Sequence, residues 1–219
     1  MNRIVKFLSI ILLFFFVLFI SCNNSTSSTS PTKAPQSAKK VMQKSVAVII
    51  DVQPFSDMPT EQTTYVFTEL KKIYPSVELK TAIPLPEEAY YPARNRYRAD
   101  SLLNFLSAQT KSNHVVIALT SKDISCTNET YADWGIIGYG FCPGNACVVS
   151  TFRLDKNNVF EQLFKASIHE LGHTQGLDHC PDKTCFMRDA EGKNTTNEEK
   201  DFCPKCKAFL TSKGWLFKK

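Results

Sequence analysis

The chain has 219 residues, with 26 Lys and Arg against 21 Asp and Glu, and eight cysteines. Once an N-terminal signal and tether are set aside, roughly 175 residues remain, which suits one domain with a real core. The small positive balance shrinks further when the basic residues of the signal are removed, so composition gives no footprint for a nucleic-acid partner, and no internal repeat is present.

Residues 1–21 carry Arg3 and Lys6, then an apolar run from Phe7 to Ile20 that ends at Ser21-Cys22. This is the pattern of a secretory signal. The apolar run is about fourteen residues, short of the roughly twenty that a spanning helix needs. Ser21-Cys22 behind aliphatic and aromatic residues resembles a bacterial lipobox, with Phe19 where Leu is usual. That resemblance implies an exported protein whose first mature residue, Cys22, is lipidated and anchors it to a membrane. An ordinary signal peptide is the alternative. Residues 22–44 are mostly Ser, Thr, Pro and Lys with little to bury, which predicts a disordered tether ahead of a domain at 45–219.

Within that domain, SVAVIIDV (45–52) is a nearly continuous β-branched run, as expected of a strand buried on both faces. Residues 60–74 carry Tyr65, Val66, Leu70 and Ile73 at helical spacing. VELKTAIPL (77–85) reads as a strand, 94–110 as a second helix through Tyr97, Leu102, Leu103 and Phe105, and HVVIALT (114–120) as a strand. Alternation in this order implies a mixed α/β fold with a mainly parallel sheet. GIIGYGF (135–141) and VVSTF (148–152) flank the turn-rich CPGNAC and predict a β-hairpin. Residues 158–175 form a further helix with the stripe Phe160, Leu163, Phe164, Ile168 and Leu171, capped by Asn157 or Asn158.

That last helix carries the chemistry. His169 and His173 are four residues apart, so on a helix both imidazoles stand on one face and can reach one cation. Gly176 can end the helix in the left-handed conformation and turn the chain back, which brings His179 in as a third ligand. Three protein ligands leave one position of a zinc ion for water, as in catalytic rather than structural sites. Glu170, beside the metal, is placed to act as the base toward that water. His114 stands alone and receives no role.

HELGHTQGLDH at 169–179 is the metzincin pattern HExxHxxGxxH. Cys180, Cys185, Met187 and Cys203-Pro-Lys-Cys206 follow, and with ALTSKDI (118–124) and CVVSTFRL (147–154) the stretch from 45 to 210 closely resembles the archaemetzincins. The resemblance implies a metzincin fold, a zinc-dependent peptidase and a peptide or protein substrate. It also implies a small C-terminal subregion in which Cys180, Cys185, Cys203 and Cys206 hold a second, structural zinc, and places Met187 in a turn beneath the catalytic metal. The hairpin at 135–152 becomes the rim strand that pairs with substrate, with a plain sheet edge as the alternative. Asp189 occupies the position where other metzincin branches have a tyrosine that approaches zinc.

The remaining thiols leave choices open. Cys142 and Cys147 flank the hairpin loop, where an oxidising compartment favours a bridge, and Cys126 is then left odd. The same compartment allows the four C-terminal thiols to form two disulfides instead of a zinc site. The reading is a monomeric, membrane-anchored zinc peptidase with two zinc ions; the rival is a non-catalytic zinc- or peptide-binding lipoprotein of the same fold, against which the intact base Glu170 speaks.

Overall fold

The structure, a computed structural model, describes residues 48–190 and 194–217. The expected signal, lipidation site Cys22 and tether lie outside the described residues. In chain order the elements are β1 (Ile49–Pro54), α1 (Thr60–Ile73), β2 (Val77–Leu79), β3 (Tyr90–Tyr91), β4 (Arg96–Arg98), α2 (Ala99–Gln109) and β5 (His114–Thr120). There follow β6 (Ile124–Cys126), β7 (Trp134–Ile136), β8 (Gly138–Gly140), β9 (Ala146–Ser150), α3 (Val159–Thr174) and α4 (Pro204–Ser212).

The main sheet has the order β2-β1-β5-β9-β8, parallel except for β8, which pairs antiparallel with β9 at the edge. Its centre is buried on both faces, which is why β1, β5 and β9 read as continuous apolar runs rather than alternating ones. Ile50, Val52, Ile117 and Val149 pack toward α1 and α3 through Val66, Leu70, Leu163 and Ile168. Val116, Ala118, Ala146 and Val148 pack on the opposite face toward α2 through Leu102 and Leu103. The expected mixed, mostly parallel α/β fold is therefore present. Among the described residues, no helix is long and apolar enough to cross a membrane.

Several local expectations are corrected. The strand expected at 77–85 is ordered only over Val77–Leu79, with one further bridge between Phe55 and Ile83, because Pro84 and Pro86 cannot donate to a ladder. The helix expected from residue 94 begins at Ala99, since Arg96–Arg98 form β4 instead. That strand belongs to a second sheet, β3-β4-β6-β7, which claims Trp134–Ile136 from the expected hairpin. Arg96 and Arg153 both meet the buried Asp123 there, and Arg96 and Arg98 meet Asp133. Asn158 sits at the cap of α3, but its amide donates to Asn197 and caps nothing. After α4 the chain returns to the core, where fully buried Trp215 packs 4.8 Å from the Tyr74 ring centroid.

Candidate active site and cysteine cluster

Helix α3 lies under the sheet next to the edge strand β8 and presents His169 and His173 one turn apart. Gly176 adopts φ +92°, and its amide and that of Leu177 close back on the carbonyls of His173 (2.8 Å) and Gly172 (3.2 Å). Only a residue without a β-carbon takes that conformation without strain, and it ends the helix where sequence spacing placed the reversal. His179 thereby returns to face the helix, with ring centroids 5.4 Å from His169 and 5.0 Å from His173. One ring nitrogen from each histidine lies within 4.8 Å of the others.

The tautomers are set by the backbone. His169 Nδ1 donates to the Phe186 carbonyl and His173 Nδ1 to the Leu177 carbonyl, each at 2.7 Å. Both Nε2 atoms are left as acceptors, 3.0 Å apart. Burial lowers the His169 pKa to about 4 and also lowers that of His173, so both rings are neutral ligands near pH 7. Two lone pairs facing each other at that distance repel unless a cation lies between them. A zinc ion with imidazole ligands at about 2.0–2.1 Å matches this donor set. His179 Nδ1 lies 3.4 Å from Asp189 Oδ2.

Glu170 is half-buried, and its carboxylate lies against β8, where burial pushes its pKa up to about 8. Gly138 and Gly140 of β8 leave it room, since any β-carbon on Gly138 would overlap the carboxylate. In the register of β8 with β9, the Ile137 carbonyl and the Phe141 amide bond inward to Ser150 and Ala146. The main-chain groups of Gly138 and Gly140 consequently point to the outer edge, which no other described strand covers.

Below the histidines, Met187 is fully buried, with its sulfur against Gly172 of α3. Its carbonyl accepts the Cys180 amide at 2.6 Å, tying the residue after His179 to the turn that carries Met187. Cys180, Cys185, Cys203 and Cys206 gather beside this turn, with all four sulfurs within 4.8 Å and Cys180 Sγ 3.8 Å from Cys203 Sγ. Cys185 Sγ accepts the amides of Cys203 (3.3 Å) and Met187 (3.5 Å). Burial raises the thiol pKa of Cys185 and of Cys206. A tetrahedron of sulfurs about 2.3 Å from zinc has edges of about 3.8 Å, so the cluster fits the ion.

A model of the family described as peptidase family M54 matches residues 42–212. The chain belongs to peptidase family M54. An archaemetzincin of Methanopyrus kandleri is 35% identical over 135 residues, covering 60% of this chain and 75% of its own. One from Halobacterium salinarum is 29% identical over 171 residues, covering 72% and 96%. The crystal structure of the Methanopyrus kandleri archaemetzincin superposes with a TM-score of 0.64 at 28% identity, covering 79% of this chain and 98% of that one. Membership in M54 makes the chain a zinc metallopeptidase, and among the described residues the motif histidines and the four C-terminal cysteines are two of the groups that could hold a metal ion.

The bridge expected between the two thiols that flank the hairpin loop is absent. Cys142 and Cys147 are not bridged: exposed Cys142 points to the Leu177 carbonyl, whereas fully buried Cys147 points to that of Val116. Cys126 is free and buried in the second sheet. Residues that sequence reasoning missed are Gly138, Gly140, Lys165 and Glu199, which line or shape the cleft beside Glu170. The repeated glycines of Gly138-Tyr139-Gly140 were the available signal, because a glycine inside a strand often marks close approach of another group.

Proposed function

We propose that this peptidase cleaves peptide bonds with His169, His173 and His179 as its zinc ligands and Glu170 as its base. The observation that carries the proposal is the convergence of three imidazole nitrogens, two with tautomers set by carbonyls, beside a carboxylate held against the edge strand. Zinc bound there would supply a Lewis acid for the scissile carbonyl and would acidify a bound water. Glu170, whose ionised form a zinc charge beside it would favour, takes a proton from the attacking water and delivers it to the leaving amine, keeping one carboxylate in both roles. Gly138 and Gly140 offer outward main-chain groups, which an extended peptide meets as an added antiparallel strand with little demand on its sequence.

Cys180, Cys185, Cys203 and Cys206 would hold a second zinc, which would fix the segment that carries His179 and Met187. At the cellular level, we place the domain outside the cytoplasm, as a monomer tethered to a membrane through lipid on Cys22. Zinc-loaded Glu170→Gln tests the mechanism: cleavage falls by about 10²- to 10⁴-fold while zinc at the histidines is retained. Wild-type turnover by that variant rejects Glu170 as the base.

A further inference from the structure

A cavity of about 110 Å³ opens beside His169 and Glu170 at the N-terminal end of β8. Ile137, Ala166 and Ala190 give it apolar walls, and Lys165, Arg188 and Glu199 supply charge. The two cations are already matched. Lys165 Nζ is 2.6 Å from Glu161 and 2.6 Å from the Thr196 carbonyl, and Arg188 Nη1 is 2.6 Å from Glu198. Glu199 is different. It is 5% exposed, its Oε1 accepts the Thr195 hydroxyl at 3.0 Å, and its Oε2 accepts no hydrogen bond among the described residues.

We propose that Glu199 is a specificity-determining residue, and that this cavity takes a basic side chain from the substrate residue just C-terminal to the cleaved bond. The proposal rests on the antiparallel pairing put forward above. A strand added antiparallel to β8 places its C-terminal part opposite Ile137 and Gly138, where the cavity opens. Its apolar walls suit the methylene stem of Lys or Arg, and the Glu199 carboxylate, which makes no ion pair among the described residues, meets the charged end. An aliphatic side chain would fill the same walls but leave Glu199 desolvated and unpaired.

Peptides that differ only at the residue after the cut, carrying Lys, Arg, Leu, Gln or Glu, test this in two ways. Cleavage by the wild-type protein gives kcat/KM, and titration onto zinc-loaded Glu170→Gln gives binding without turnover. Lys and Arg peptides are expected to bind and to be cleaved roughly tenfold better than the Leu peptide. Glu199→Gln levels that preference in both binding and kcat/KM. Thr195→Val removes the Thr195 hydrogen bond but keeps the charge, so the basic preference survives; a merely structural Glu199 would make the two variants alike. Equal binding of Lys and Leu peptides, a preference for Gln or Glu, or a basic preference that persists in Glu199→Gln overturns the proposal. Should Glu199→Gln fail to fold, Glu199→Asp retains the charge, and the binding series on Glu170→Gln still decides. Failure of the mechanism itself shows separately, as turnover by Glu170→Gln.

Discussion

Gly138 faces Glu170 so closely that a β-carbon on the glycine would lie 2.5 Å from Oε1 and 2.7 Å from Cγ. The glutamate is therefore held against the bare backbone of the edge strand. In Gly138→Ala, the atoms that must yield belong to the Glu170 side chain rather than to backbone, so the strand stays and the carboxylate moves. Displacing a reacting group by about 1 Å can cost on the order of 10²-fold in rate. We expect that loss in kcat/KM, with zinc content and unfolding temperature close to wild type. Wild-type activity in Gly138→Ala would show that the carboxylate has room this packing denies it.

The histidine cluster was legible because its parts are local: one helix face, one glycine and one turn fix all three histidines within eleven residues. The parallel core was legible for a related reason, since strands buried on both faces announce themselves as apolar runs. The second sheet was not. Its strands are two or three residues long, and what holds them is the pairing of Arg96 and Arg98 with Asp123 and Asp133, far away in the chain. Spacing read Arg96–Arg98 as the start of a helix because Tyr97 fits a helical stripe. The Cys142–Cys147 bridge failed similarly. The hairpin is real, but one thiol is buried in the core and the other faces solvent, which spacing does not encode.

Met187 and Gly172 give a second test, this time of stability. A β-carbon on Gly172 would lie 2.3 Å from the Met187 sulfur, between the two helical histidines. Gly172→Ala is expected to cost about 1–3 kcal/mol through overpacking, and Met187→Ala about 2–5 kcal/mol through a cavity. The added methyl occupies part of the space the methionine leaves, so the double variant should be more stable than the sum of the two losses predicts. Denaturant unfolding of zinc-loaded protein reads this. Simple additivity would mean that the two residues do not share the contact.

The lipid anchor is tested outside the described residues. Cys22→Ser removes the sulfur that would carry lipid, so the protein is expected to leave the membrane fraction or to stall before processing. Fractionation of the full chain, with mass analysis of its N-terminus, checks it. An unchanged membrane fraction with the same trimming point would return the segment to an ordinary signal.

The four-cysteine cluster poses the sharpest chemical choice. Cys180 and Cys203 have sulfurs 3.8 Å apart, well beyond the roughly 2.05 Å of a disulfide but equal to the edge of a zinc-centred sulfur tetrahedron. Two backbone amides directed at Cys185 Sγ favour its thiolate, and all four sulfurs lie within 4.8 Å of one another. Metal analysis of protein purified without reductant should give two zinc ions per chain, with the four thiols alkylated only after chelation. Cys206→Ser should lower the count to one. Because Cys180 adjoins His179 and its amide bonds the Met187 carbonyl, that variant should also weaken zinc at the histidines or slow cleavage by roughly 10- to 100-fold. One zinc per chain in the wild type, with no free thiol among these four, would establish two disulfides instead, and the link from this cluster to His179 would then rest on covalent bonds alone.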